Sequence, residues 1–180
     1  GATGDGIKMA KDAGAALIQM EEIQTHPTVV PKVGEMITEA VRGNGAVLIN
    51  KDGKRFFNES RGSVFVDVYN AMTSAGGVLY TIFDQEKMDR MIQKGAVLPF
   101  NAIVLADVPL KALPKTWEIG RERGWAFKAD TIEELAQQIG VPPENLLDTM
   151  KKVNSYAEKG VDPEFGRKKE HLVKFNLKKG

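Results

Sequence analysis

The stretch Gly43-Asn44-Gly45-Ala46-Val47-Leu48-Ile49-Asn50-Lys51-Asp52-Gly53-Lys54-Arg55-Phe56-Phe57 decides the architecture. Residues 46–50 form a short apolar run of strand type, and Lys51-Asp52-Gly53-Lys54 has the composition of a hairpin turn. Arg55-Phe56-Phe57 is then expected to return as the partner strand. Upstream, residues 36–43 read as one or two helical turns, with Gly43 and Gly45 as stops. Downstream, residues 64–75 predict a helix and residues 78–83 a buried strand. Residues 85–94 predict an amphipathic helix with Met88 and either Met91 or Ile92 inward. Helices around a small mixed sheet make the fold class α+β.

Outward from that centre the helical signals sharpen. Thr131 and Glu134 stand three apart before Ile132, Leu135, Ala136 and Ile139, a capping box followed by an apolar stripe. Pro142-Pro143 opens a further helix in which Leu146, Met150, Val153 and Ala157 share one face before Gly160 closes it. Residues 115–123 are helical in pattern, whereas 96–114 carry three prolines and no period, and are expected to form an irregular connection around a short apolar strand. At the start, Ile7, Ala10 and Ala13 have helical spacing behind a glycine-rich entry, and Gly14 ends the pattern. Residues 16–28 are expected to be extended, because Pro27 biases His26 away from helix. The last fifteen residues are basic (Arg167, Lys168, Lys169, Lys174, Lys178, Lys179) and are expected to form a solvated tail that carries His171 at the surface.

Composition bounds the function. At ~150 residues per domain, 180 residues make one core with room for a remnant of a second. A hydrophobic share of 42% with 27% charged residues excludes disorder. Twenty-five basic against 24 acidic residues leave a net charge of +1, too little to draw in nucleic acid or an anionic membrane. The absence of cysteine excludes disulfides, thiolate metal sites and thiol nucleophiles. No apolar run reaches the ~18 residues of a membrane span, and Gly1 is not followed by a basic and apolar leader. A soluble module cut from something longer, in cytoplasm or periplasm, is the expectation.

Four clusters carry candidate chemistry. The run Gly1-Ala2-Thr3-Gly4-Asp5-Gly6-Ile7-Lys8 is no triphosphate loop, since Ile7 stands where that motif needs lysine. The dinucleotide pattern G-x-G-x-x-G after a strand is missing too. What remains is a turn that caps a helix, or one that offers backbone N–H groups and Asp5 to a ligand's hydroxyls. His26, in Gln24-Thr25-His26-Pro27-Thr28, suits an imidazole held in one orientation. With His171 it makes a poor metal site, and no metal is expected. In Met36-Ile37-Thr38-Glu39-Ala40-Val41-Arg42-Gly43, a helical turn puts Thr38, Glu39 and Arg42 on one face. That face either clamps a carboxylate and passes a proton or is an ion pair on a solvated helix. Asn58-Glu59-Ser60-Arg61 places a polar cluster at a strand end, where sites collect.

Taken in order and spacing, these segments resemble the flavoprotein subunits of fumarate reductases and succinate dehydrogenases, and most closely the soluble flavocytochrome c type. Arg55-Phe56-Phe57-Asn58-Glu59, Asn154-Ser155-Tyr156 and Asp162-Pro163-Glu164-Phe165-Gly166-Arg167 extend the likeness over nearly the whole chain. The resemblance implies that residues 1–20 are a remnant of an FAD-binding domain, with Thr3, Gly4 and Asp5 on the cofactor side. Residues 21–180 would then be the capping, or clamp, domain that closes over substrate and ends in the basic tail. The family's phosphate-binding glycines would precede Gly1, and a second substrate histidine and another carboxylate-binding arginine would follow Gly180. FAD would thus be held mainly by the flavin domain of the same polypeptide, with none bound by this fragment and an electron-donor module outside it.

The implied activity is reduction of an α,β-unsaturated carboxylic acid, fumarate first, by flavin hydride transfer and protonation, with the isolated fragment inactive. His26, Thr38, Glu39 and Met36 match substrate-side positions, and Glu39 with Arg42 match a proton relay. The family's acid is an arginine, but Ser63 stands at its place, and Arg61, two residues earlier, is the nearest candidate. Three alternatives stay open: Arg61 fills the role, another acid serves a different unsaturated acid, or reduction has been lost. Besides a reductase, the residues fit a dehydrogenase or oxidase of the same superfamily acting on succinate or L-aspartate. They also fit a binding domain that kept only the fold.

Overall fold

The computed structural model describes residues 2–23, 25–31, 34, 40–60, 64–94 and 113–177. Its centre is the stretch quoted above. The four-residue helix α2 (Ala40–Gly43) ends where Gly45 takes a φ of 97°, and the amides of Asn44 and Ala46 turn back onto the Val41 carbonyl. Strand β1 (Val47–Ile49) follows, buried at every residue. It pairs antiparallel with β2 (Tyr80–Ile82) in the register Val47↔Ile82, Leu48↔Thr81 and Ile49↔Tyr80.

The turn after β1 forms as its composition predicts. Asn50 Oδ1 accepts from the amides of Asp52 (3.0 Å) and Lys54 (3.1 Å), and Gly53 takes a φ of 73°. The return strand does not form, for only a single bridge, Ile49↔Arg55, remains of it. Two residues four apart on an extended strand lie about 13 Å from each other. Arg55 and Glu59 instead meet in an ion pair at 2.8 Å, so the chain must curl after Arg55 and β2 takes the partner's place.

Side chains alternate across β1, and each face meets its own helical layer. Val47 and Ile49 pack with Ala136, Ile139, Leu146, Met150 and Val153 from helices α6 (Ile132–Ile139) and α7 (Pro143–Lys159). Leu48 packs with Phe57 and with Val68 of α3 (Val64–Ser74). A third cluster joins Val41, Ala46 and Met88 of α4 (Gln85–Lys94), with Trp117 of α5 (Leu113–Glu122) against it. Helix α6 opens on Thr131, whose hydroxyl accepts from the Glu134 amide at 3.1 Å, and closes on left-handed Gly140. Helix α7 starts at Pro143 and ends at left-handed Gly160, as the sequence predicts. Of the irregular connection expected over residues 96–114, residues 96–112 lie outside the described residues, and Leu113 already begins α5.

The two ends of the chain differ. Helix α1 (Asp5–Asp12) buries none of its residues, and the described residues through Ile23 are exposed, among them Met9, Ile18 and Ile23. It stops at Asp12, just before Gly14 turns left-handed, where the sequence places its end. The C-terminal stretch corrects the expectation of a solvated tail, since Arg167, His171 and Phe175 are all buried. Asn154 fastens Phe175 from both sides, donating to its carbonyl at 2.9 Å and accepting from its amide at 2.7 Å. Lys87 donates to the Lys174 carbonyl (3.0 Å) and to Asp84 (3.1 Å), with its ammonium 3.5 Å from the Phe175 ring centroid. Val173 sits so close over Gly45 that a Cβ there would lie 2.6 Å from the valine's own, which is why glycine stands at that position.

Candidate active site and the ion network behind it

Of the expected site residues, Met36, Thr38, Glu39 and Arg61 lie outside the described residues. His26 is half-buried between exposed Thr25 and buried Pro27 and Thr28. Its Nδ1 is 3.5 Å from the Thr28 hydroxyl, a contact that steadies the ring through a neighbour two residues on. Arg42 lies near the end of α2 and is 1% exposed. That burial removes the reading of Arg42 as part of an ion pair on a solvated helix. Thr3, Gly4 and Asp5 are exposed, the Thr3 hydroxyl donating to Asp5 Oδ2 at 2.6 Å and Gly4 left-handed at a φ of 80°. They stand on the exposed N-terminal segment, apart from the core that holds Arg42.

Behind Arg42 lies a network that joins Glu59, of the polar cluster expected at the strand end, to Arg55, Asp162 and Arg167. Glu59 is fully buried, and its Oε1 accepts from the Leu48 amide (3.1 Å) and Arg55 Nε (3.0 Å). Its Oε2 accepts from Arg55 Nη2 (2.8 Å) and Arg167 Nη1 (3.3 Å). Arg55 Nη2 also donates to Asp162 Oδ2 at 2.9 Å, and its guanidinium carbon lies 4.9 Å from the Phe165 ring centroid. Arg167 reaches further, with Nη1 donating to the Ala46 carbonyl (2.9 Å) and Nη2 to the Arg42 carbonyl (3.0 Å). Two arginines and two carboxylates make the set formally neutral, the condition under which charges are tolerated in an interior.

Local sequence shapes each part. Asp162 Oδ1 accepts from the amides of Glu164 (3.1 Å) and Phe165 (3.2 Å), an Asx turn that brings Arg167 round toward β1. Asn58 binds that turn by donating to the Phe165 carbonyl at 3.0 Å. Burial opposes the charge on Arg55, but its bonds to Glu59 and Asp162 outweigh that and raise its pKa. Burial also works against the Asp162 carboxylate, yet Arg55 and the turn amides hold it below the usual carboxylate value. Arg167 is lowered, first by burial and then by the like charge of Arg55, despite the pull of Glu59. His171, expected at the surface, is buried, and its pKa is lowered by that burial and by neighbouring Arg167.

The signal for this network was present in the sequence as Arg55 and Glu59 four apart and as an Asp-Pro-Glu-Phe-Gly-Arg run, but pairing the two across more than 100 residues needs the fold. A separate cavity of about 260 Å³ lies among β2, α4, α5 and α6, walled by Phe83, Met88, Trp117, Phe127 and Leu135. None of the expected site residues that the structure describes lines it, and its Asp84 is already bound to Lys87. Among the described residues no cluster of acidic and histidine side chains is placed to hold a metal ion, and no helix is long and apolar enough to cross a membrane.

Likeness to known proteins bears on what this arrangement serves. The family model described as "FAD binding domain" matches residues 1–177. A fumarate reductase (cytochrome) of Shewanella frigidimarina is 36% identical over 170 residues, 93% of this chain and 25% of that protein. A 3-oxosteroid 1-dehydrogenase of Mycolicibacterium smegmatis is 35% identical over 175 residues, 92% of this chain and 28% of that protein. The open conformation of a flavocytochrome c3 fumarate reductase superposes with a TM-score of 0.64 at 29% identity, over 99% of this chain and 27% of that one. The chain thus spans about a quarter of the length of the curated relatives it matches.

Proposed function

We propose a function from one premise: this chain belongs to the FAD binding domain family. Within it, the chain is the substrate-capping domain of an FAD-dependent reductase of α,β-unsaturated carboxylic acids, with fumarate as first substrate. The observation that carries this reading is Arg42, buried at the end of a turn whose carbonyl is held by Arg167. A guanidinium placed so is desolvated and preorganised, as a group that stabilises charge or relays a proton in a closed site must be.

Residues 1–20 belong to the flavin-binding part of the protein, and 21–180 to the cap. The exposed apolar side chains of Met9, Ile18 and Met20 support that division, because they lack the burial such residues find in a finished core. Thr3, Gly4 and Asp5 suit one edge of FAD, the turn offering backbone N–H groups as donors and the Asp5 carboxylate as an acceptor for the cofactor's hydroxyls. The first turn of α1 has no side-chain cap, and the Asp5 carboxylate is exposed. FAD, when bound, supplies the hydride. On this chain, His26 and Thr38 orient a substrate carboxylate, with Met36 against the substrate, and Glu39 and Arg42 carry a proton toward the carbon that receives it. Arg61 is the acid that delivers it, standing in for the arginine replaced at Ser63. An arginine with a pKa above ~12 serves as acid only if its proton is replaced at once, which is the task of Glu39.

The test uses the full-length flavoprotein with a reduced dye as electron donor. Fumarate-dependent oxidation of the dye is expected, with Arg42→Ala lowering kcat about a hundredfold or more and leaving KM nearly unchanged. Near wild-type turnover in both Arg61→Lys and Arg61→Ala removes Arg61 from the mechanism. No oxidation with any enoate sinks the reductase reading. A second reading, a dehydrogenase or oxidase, is favoured by the 3-oxosteroid 1-dehydrogenase relative together with Ser63. Dye reduction by succinate, L-aspartate or a 3-oxosteroid, without fumarate reduction, selects it.

A further inference from the structure

We infer that Arg167, held in place by Glu59, is a positioning residue that fixes the backbone from which Arg42 projects. The inference rests on the proposed role of Arg42, and its geometry stands apart from that role. The last carbonyls of a helix have no partner within it, and α2 is too short to hold itself by its own ladder. Its Arg42 carbonyl is taken by the Gly45 amide at 3.2 Å and by Arg167 Nη2 at 3.0 Å, while Nη1 of the same guanidinium takes the Ala46 carbonyl at 2.9 Å. One planar fork therefore spans the turn from α2 into β1. Glu59 holds that fork from behind and also accepts the Leu48 amide from within β1, so a single carboxylate references the turn to the strand. Lysine, a point donor on a flexible stem, keeps the charge but cannot hold both carbonyls in one plane.

Displacing a proton-relay group by an ångström is enough to cost a large factor in rate while leaving substrate affinity largely alone. In the full-length flavoprotein, Arg167→Lys is expected to lower kcat about tenfold with KM within about twofold, and Glu59→Gln to act in the same direction. Combined with Arg42→Ala, Arg167→Lys is expected to have no further effect on kcat. Multiplying losses in the double variant would show a general structural lesion and overturn the inference. Amide hydrogen exchange on the same proteins supplies a readout independent of turnover. Arg167→Lys should speed exchange at Asn44, Gly45 and Ala46 about tenfold while leaving the α7 amides unchanged. Unchanged exchange at those three residues overturns the inference, whatever the activity. If the parent protein reduces no enoate, the reductase reading falls, and exchange alone then supports or overturns the clamp.

Discussion

Strand β1 is held from two directions by different physics. Toward α6 and α7, Val47 and Ile49 meet a layer of Leu146, Met150 and Val153 that is apolar throughout. Toward the Arg42 turn, Glu59 binds the strand's backbone at Leu48 and Arg167 binds the Ala46 carbonyl just before it, charged groups that are themselves buried. The apolar layer is graded, since every methylene adds its share and similar shapes substitute for one another. The ion network is closer to all-or-none, because removing any one member strands its partners' charge away from water. Such a network adds little net stability over an apolar core of the same volume, but it tolerates few arrangements. It therefore determines position more than stability.

The two sides separate most clearly when one member is deleted from each. Glu59→Ala is expected to destabilise the domain by about 3–5 kcal/mol, because it leaves Arg55 and Arg167 facing each other without their shared anion. Leu146→Ala on the apolar side should cost about 2–5 kcal/mol, whereas Leu146→Met should cost less than ~1.5 kcal/mol. Chemical denaturation of the three variants checks this, and a mild Glu59→Ala would refute the all-or-none description. A smaller effect is expected at the start of α6, where Thr131→Ala removes a cap worth about 1 kcal/mol without touching the network, read as a shift in the unfolding midpoint.

The smallest effect is a slope in pH. The folded pKa of His171 lies below its ordinary 6.5, so between those two values the unfolded chain binds more protons and stability falls as pH falls. Asp162, whose folded pKa is below 3.8, adds stability above that value that is lost as pH drops through the folded one. Denaturation midpoints measured from pH 7 to 5 should decline, and His171→Phe should flatten the decline. An unchanged slope in that variant would show that His171 is not its source.

Much of the fold could be read from local pattern. The Thr131–Glu134 box, the Pro143 start, the Gly160 stop and the 3.6-residue stripe on α7 are all properties of neighbouring residues, and each stands where its spacing puts it. The partner of β1 was misread because Asn50 to Lys54 make a sound turn, and nothing in the next three residues discloses that Arg55 will bend inward toward Glu59. The tail was misread for a related reason. Its lysines are ordinary surface residues, but Arg167, His171 and Phe175 are drawn in by partners distant in the chain.

The candidate site divides along the same line. Thr3, Gly4, Asp5, His26 and Arg42 stand in contiguous motifs that the sequence displays, and the family resemblance implies the roles proposed for them. Arg55, Glu59, Asp162 and Arg167 could be quoted from the sequence but given no task, because their meaning lies in contacts across more than 100 residues.

By itself, then, the amino-acid order determined where helices begin and end and which faces are apolar, both of them consequences of backbone preference and periodicity over a few residues. Only the tertiary structure decided which strand pairs with β1, that the basic terminus is built into the core, and that two arginines and two carboxylates lock the Arg42 turn. The reason is physical: a charge is buried only where its counter-charge is delivered to the same point, and folding alone makes that delivery.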